Sequence, residues 1–339
     1  MSHETAQSQF TIDPYQFLRI IPNPDGSIAR NEKFCPRTPA TPDHPPHDDH
    51  ILPVLSKDVF INQSNDSWVR LFLPGGRVLA PLDSSSSCKL PLIVYFHGGG
   101  FILNTPDMMF FHKFCSDMAI KLQAVVVSVK HRLAPEHRLP AAYDDAMEAL
   151  HWIKTTQEVW LQKYVDFSKC FLMGNSSGGN VAYHTALHAA AEVDDLQPLL
   201  IKGLILHQPF FGGVNRTCSE LSLFTNKIFP VCVSDLMWDL SLPIGADRDH
   251  EYCNPTVDGG SKLLDHIKSV GWKVLVTGYD GDPLIDRQIE LVKIMEKKGI
   301  QVMRQFAKGG SHGAEFLDPF KYEEFFGLLK EFLFSSTFS

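Results

Sequence analysis

From residue 90 onward, short continuous apolar runs alternate with longer stretches in which apolar residues recur at helical spacing. Pro91 to Phe96, Ala124 to Val129, Lys169 to Met173, Ile201 to Leu206, Lys273 to Thr277 and Gln301 to Phe306 read as strands. Between them, Asp107 to Leu122, Ala141 to Lys154, Ser177 to Ala191, Pro283 to Lys298 and Pro319 to Phe332 read as helices. Runs of four to eight apolar residues between helical patterns predict a mostly parallel sheet with helices on both faces, the α/β class. Two regions fall outside the alternation, the N-terminal fifty residues and Phe211 to Gly260. Both are candidates for a small cap over the strand ends, where open α/β sheets bind ligands. The 339 residues then form a single domain, with 1–50 and about 211–260 contributing that cap.

Composition narrows the function. Thirty-one Lys and Arg against thirty-nine Asp and Glu give a net charge of −8, with no basic block. That excludes an electrostatic footprint for nucleic acid or anionic membrane. No apolar window is long enough to span a bilayer, and Met1 to Phe10 lacks the features of a signal peptide. Seven cysteines at scattered spacing, without C-x-x-C, predict reduced thiols and a cytoplasmic protein, so the acceptor-like Asn62 and Asn215 are read as chance matches. Residues 22–50, rich in Pro, Asp and His, read as irregular chain. Within them His44-Pro-Pro-His47-Asp-Asp-His50 resembles a metal tract, but two prolines and the missing helical spacing favour a solvated loop, and no metal or cofactor is expected. The run Ser84 to Ser87 reads as a hairpin tip.

Candidate chemistry gathers where strands end. Cys170-Phe171-Leu172-Met173 runs into Gly174-Asn175-Ser176-Ser177-Gly178, and a helical pattern follows at once. Glycines flanking a serine permit a tight strand-to-helix turn that exposes the serine at its apex. A serine hydroxyl needs a base, an orienting acid and donors for an oxyanion. The strand ending at Phe96 leads into His97-Gly98-Gly99-Gly100-Phe101, whose peptide N–H groups can serve as donors, and no Gly-Lys-Ser/Thr follows to mark a phosphate loop. The strand at 273–277 leads to Asp280, Asp282 and Asp286, all candidate acids. The last strand leads to Gly309-Gly310-Ser311-His312-Gly313. The order Ser176, Asp282, His312, with a glycine loop upstream, is the order of α/β hydrolases.

The segments HGGGF (97–101), HRLAPEHRLPAAYDDAMEAL (131–150), GNSSGGN (174–180), GDPLIDRQ (281–288) and GGSHG (309–313) resemble the plant carboxylesterases, a branch of the hormone-sensitive-lipase group of α/β hydrolases. The resemblance covers almost the whole chain. It implies Ser176 as nucleophile, Asp282 as orienting acid and His312 as general base, with N–H groups of Gly99, Gly100 and Ser177 as the oxyanion hole. It further implies a cofactor-free enzyme, monomeric or homodimeric, acting on a small ester or a specialised plant metabolite. The same scaffold implies two alternatives, a lyase, cyclase, dehydratase or demethylating esterase, and a small-molecule receptor. Retention of His312 argues against the receptor.

The chain departs from the family pattern at Asn175, usually acidic, at Ser177, usually alanine, and at Lys130-His131, usually Asp-Tyr. Lys130 and His131 are expected beneath the site, beside the strand that carries Ser176. Histidines 131, 137, 151, 184 and 207 read as structural, and His97 as a brace for its loop. Phe101, Phe210 and Phe211 are expected to line a substrate pocket.

Overall fold

A computed structural model of the chain describes residues 12–31, 36–43, 52–77, 89–257 and 263–334. The tract His44–His50 and the run Ser84–Ser87 lie outside the described residues. The chain opens with a short helix α1 (Pro14–Leu18) and a two-stranded ribbon of β1 (Ile20–Pro22) and β2 (Ile28–Arg30). A hairpin of β3 (Val54–Asn62) and β4 (Ser67–Pro74) follows. The alternating part then runs β5 (Leu90–Phe96), α2 (Met109–Leu122), β6 (Val125–Val129), α3 (Ala141–Thr155), α4 (Val159–Tyr164), β7 (Val165–Asn175), α5 (Ser177–Ala191) and β8 (Ile201–His207). After α6 (Cys218–Ser222), α7 (Val231–Ser241) and α8 (Leu264–Val270) come β9 (Lys273–Gly281), α9 (Ile285–Lys297), β10 (Val302–Ser311), α10 (Ala314–Leu317) and α11 (Pro319–Phe334).

Eight strands form one sheet in the order β10-β9-β8-β7-β5-β6-β4-β3. Every pairing from β10 to β6 is parallel, and β4 runs against both its neighbours. This is the doubly covered parallel sheet expected from the apolar runs. The central strands β5 and β6 are buried at every position, and apolar but for Ser128, because both faces are covered, whereas the edge strand β10 carries Arg304, Gln305 and Lys308 and is only half-buried. In β5, Leu92, Val94 and Phe96 enter one core with Leu172, Ala182 and Leu204, while Ile93 and Tyr95 enter the other with Phe114, Met173 and Phe332. The hairpin β3–β4 is an addition to the sequence-based expectation. Its outer strand is buried only at Leu55 and Ser56, alternates between half-buried and exposed positions from Lys57 to Ile61, and carries Lys57 and Asp58, so it lacks the continuous apolar run.

Outside the alternation, α1 packs on α7, and the Cys232 thiol contacts the Ile12 carbonyl. Arg30 ties the N-terminal ribbon to the glycine loop: its Nε donates to Ile102 O at 2.6 Å, and its Nη2 to Ala134 O at 2.7 Å and to Glu136 at 2.6 Å. Among the described residues, no helix is long and apolar enough to cross a membrane.

Candidate active site

Strand β7 ends in Gly174-Asn175, and α5 starts at Ser177, leaving Ser176 as the single residue of the corner. Its φ of 53° and ψ of −124° are strained for a side-chain-bearing residue. The corner closes because its flanks carry no Cβ. One at Gly174 would lie 2.0 Å from Gly178 O, and one at Gly178 would lie 2.0 Å from Phe96 O. The local sequence thus folds into the sharp turn that its glycines predict.

His312 Nε2 lies 2.8 Å from Ser176 Oγ, and Nδ1 lies 2.8 Å from Asp282 Oδ2. Asp282 is fully buried, and its Oδ1 accepts Leu284 N–H at 2.9 Å while Oδ2 also accepts Gln288 Nε2–H at 3.1 Å. These bonds fix the carboxylate that faces the imidazole. The other two candidate acids go elsewhere: Asp280 accepts Gly309 N–H at 2.8 Å, and Asp286 accepts Ser219 N–H at 2.7 Å. Burial disfavours a charged His312, but the negative charge and hydrogen bond of Asp282, with the charge of Glu315, outweigh it and hold the imidazole pKa above its usual value. The ring also stacks on Phe229, centroids 4.6 Å apart.

The glycine loop faces Ser176 from β5. Gly99 has φ 130° and Gly100 φ 61°. A Cβ at Gly99 would meet Leu103 O at 2.3 Å, and one at Gly100 would meet Met237 Sδ at 2.2 Å, so only glycine fits. Among the described residues, the N–H groups of Gly99, Gly100 and Ser177 donate to no protein oxygen. Asn175 braces this loop: its Oδ1 accepts Gly98 N–H at 3.1 Å and the Tyr95 hydroxyl at 2.6 Å. Asn104 Nδ2 donates to Gly98 O at 3.0 Å. Below, the His97 and His131 rings stack at 4.4 Å, and burial keeps both below the usual histidine pKa and hence neutral.

A cleft of ≈ 200 Å³ opens over Ser176 and His312, walled by Phe110, Phe111, Phe229, Phe316 and Met237. A larger groove of ≈ 670 Å³ sits at the opposite end of the strands, and among the described residues no serine or histidine lines it, so chemistry rather than size picks out the site. Phe101, Phe210 and Phe211 do not line the cleft. They are buried in the layer beneath α7, where Phe101 and Phe210 pack on Trp238 at 5.3 and 4.6 Å and Phe211 meets Tyr183 edge-on. Filling that apolar layer is what claims these three rings. Lys130 and His131 also depart from expectation, since they follow β6, which β5 separates from the nucleophile strand β7. The Lys130 Nζ pairs with Asp66 in the β3–β4 turn, away from the nucleophile, and only His131 is buried under the loop. Phe229, Met237 and Phe316 come from segments without a motif. Gln208, which also lines the cleft, left one signal, a polar residue followed by proline at the end of an apolar strand.

The chain matches the alpha/beta hydrolase fold family over residues 93–316. It is 52% identical over 323 residues to Carboxylesterase 20 of Arabidopsis thaliana, covering 95% of this chain and 97% of that one. It is 45% identical over 334 residues to 3-O-acetylpapaveroxine carboxylesterase CXE1 of Papaver somniferum, covering 96% and 99%. Among solved structures, a hyperthermophilic esterase from the archaeon Pyrobaculum calidifontis superposes with a TM-score of 0.67 at 25% identity, covering 84% of each chain.

Proposed function

Because the chain belongs to the α/β-hydrolase fold family, among its plant carboxylesterases, and is a carboxylic ester hydrolase, we propose that Ser176, His312 and Asp282 are its catalytic triad. The observation that carries this reading is the unbroken hydrogen-bond chain from Ser176 Oγ through both nitrogens of His312 to Asp282, at 2.8 Å per link.

Ser176 Oγ attacks the ester carbonyl while His312 Nε2 takes its proton. The oxyanion that forms is met by the unengaged N–H groups of Gly99, Gly100 and Ser177. His312 then gives the proton to the leaving alcohol, which leaves an acyl-enzyme on Ser176. Water, deprotonated by the same nitrogen, releases the acid. Asp282 keeps Nδ1 protonated and offsets the imidazolium charge. The small, phenylalanine-walled cleft suits a short acyl group, and the O-acetyl ester in the name of the Papaver relative points the same way. The segment 211–257 acts as the cap through the cleft walls Phe229 and Met237, and from the N-terminal segment α1 supports it by packing on α7.

The test is covalent labelling. An organophosphate should add one mass at Ser176, and Ser176→Ala should lose both the adduct and hydrolysis of acetate esters. A rearranged product from an active Ser176→Ala would instead favour the lyase or cyclase reading. Tight small-molecule binding with neither adduct nor turnover would favour the receptor.

A further inference from the structure

Strand β8 supplies no member of the proposed triad, yet it lies between β7, which ends at the nucleophile, and β9, which leads to Asp282. The four residues His207 to Phe210, at the end of β8 and just past it, touch all three triad segments. Ser176 N–H donates to His207 O at 3.0 Å, and Phe210 N–H donates to Ser176 O at 2.9 Å, so the elbow is held on both sides. Gln208 N–H donates to Thr277 O on β9 at 2.9 Å.

The Gln208 side chain completes the set. Its Nε2 donates to Ser311 O at 3.1 Å, and its Oε1 accepts Gly313 N–H at 2.7 Å. Those are the peptide groups immediately before and after His312. The amide is buried, with donor and acceptor ends both engaged. Its backbone stands at φ 47°, in the left-handed region where glycine is the unstrained choice. Strain of this kind persists where the side chain has a task that the surroundings enforce.

The base loop needs such a hold. His312 follows Gly309-Gly310 and precedes Gly313, with Gly309 and Gly313 at φ 68° and 70°. Its strand, β10, is the sheet edge among the described residues, where it pairs with β9 alone. Just beyond the loop, Glu315 Oε2 lies 3.0 Å from His207 Nε2, both side chains buried, which ties α10 to the same end of β8.

We propose that Gln208 is a positioning residue for the proton transfer: its amide grips the peptides on either side of His312 and fixes the imidazole between Ser176 and Asp282. It touches no reacting atom. The proposal rests on the triad reading above.

Gln208→Gly and Gln208→Met separate positioning from mere stability. Glycine relieves the left-handed strain while removing the grip, and methionine keeps the bulk without the hydrogen bonds. With p-nitrophenyl acetate and the full chain, both should lower kcat by about tenfold to a hundredfold, the scale of a misplacement of roughly 1 Å, with KM little changed. In Gln208→Gly the relieved left-handed strain offsets only part of the loss of two buried hydrogen bonds, so the variant should melt somewhat below wild type yet stay fully folded at the assay temperature. The low-field proton resonance of His312 Nδ1–H should be present in wild type and broadened or lost in both variants. If both variants keep kcat within about threefold of wild type, well short of that misplacement scale, the proposal fails. It fails equally if activity is lost only in step with a lower melting temperature or a raised KM. Ser176→Ala, run alongside, keeps the two readings apart. Its continued turnover would overturn the triad itself, whereas its inactivity with normal Gln208 variants would overturn the grip alone.

Discussion

Gly178→Ala offers a strict test of how the elbow and the glycine loop depend on one another. The added Cβ would stand 2.0 Å from Phe96 O and 2.6 Å from His97 O. An ordinary carbon–oxygen contact is about 3.3 Å, so α5 and the end of β5 must part by about 1.3 Å. The end of β5 leads directly into Gly98–Gly100, and a shift of that size moves the oxyanion donors away from Ser176. Misplacement of about 1 Å costs roughly a hundredfold in rate, or about 2.7 kcal/mol of barrier. Overpacking should also destabilise the fold by about 1–3 kcal/mol, within the ~5–15 kcal/mol that keeps a domain folded. Gly179→Ala is the matched control. Its Cβ would meet Pro209 Cα at 3.1 Å and Gly174 O at 3.2 Å, contacts that a small adjustment relieves. Helix propensity offsets part of that cost by up to about 1 kcal/mol. Steady-state hydrolysis of p-nitrophenyl acetate and a thermal melt on both variants decide the matter. Gly178→Ala should lose about a hundredfold in kcat, and Gly179→Ala should change little. Equal kcat and equal melting temperature in the two variants would refute the reasoning.

Four further outcomes follow from the site. Protonated His312 cannot accept the serine proton, and its pKa is held above the usual ~6.5, so kcat/KM should fall with acidity through a midpoint above ~6.5. Asp282→Asn should move that midpoint down and cut kcat on the order of 10⁴-fold; a pH–rate profile with an unmoved midpoint would contradict this. Met237→Ala removes the wall beside Gly100 and should raise the rate on butyrate and hexanoate relative to acetate, at about 2 kcal/mol or more of stability, and an unchanged chain-length profile would count against Met237 as the limit. Asn175→Leu orphans the Tyr95 hydroxyl and Gly98 N–H at about 1–3 kcal/mol each, whereas Asn175→Asp keeps an acceptor for both; a melt and kcat series that ranks aspartate below leucine would overturn the brace.

How far the sequence reached depended on whether a residue's direction followed from its local pattern. Leu90–Phe96 is buried on both faces, so its apolar run alone announced a strand. Val54–Asn62 is a half-exposed edge strand with Lys57 and Asp58 in its middle, and no run marked it. Gly174, Gly178 and Gly99 were legible because each stands where a Cβ would strike backbone, and Gly100 because it stands at φ 61° against the Met237 side chain. Three carboxylates competed for His312 in the sequence. Asp282 alone falls in the turn between β9 and α9 and faces His312, whereas Asp280, still on β9, meets Gly309 and Asp286, already on α9, meets Ser219. The aromatic lining was misassigned for a related reason. Phe101, Phe210 and Phe211 stand at strand ends beside the motifs, yet the first two pack on Trp238 and the third on Tyr183, while Phe229 reaches the cleft from the segment before α7 and Phe316 from α10, just past His312. Adjacency in sequence gives a residue's place along the chain and says nothing of which way its ring turns.

The strand order has a consequence for folding. β3 and β4 pair as a hairpin, but the parallel pairs from β10 to β6 are joined by crossovers, and contacts between residues distant in sequence form slowly because the loops between them must close first. Ser176 and His312 are 136 residues apart, and His312 sits beyond the edge strand β10. Their contact therefore depends on the whole succession of pairings from β7 through β8 and β9 to β10. During refolding, buried tryptophans can report collapse well before that succession is complete. Recovered ester hydrolysis should lag behind the fluorescence change, marking the moment when the last strand docks.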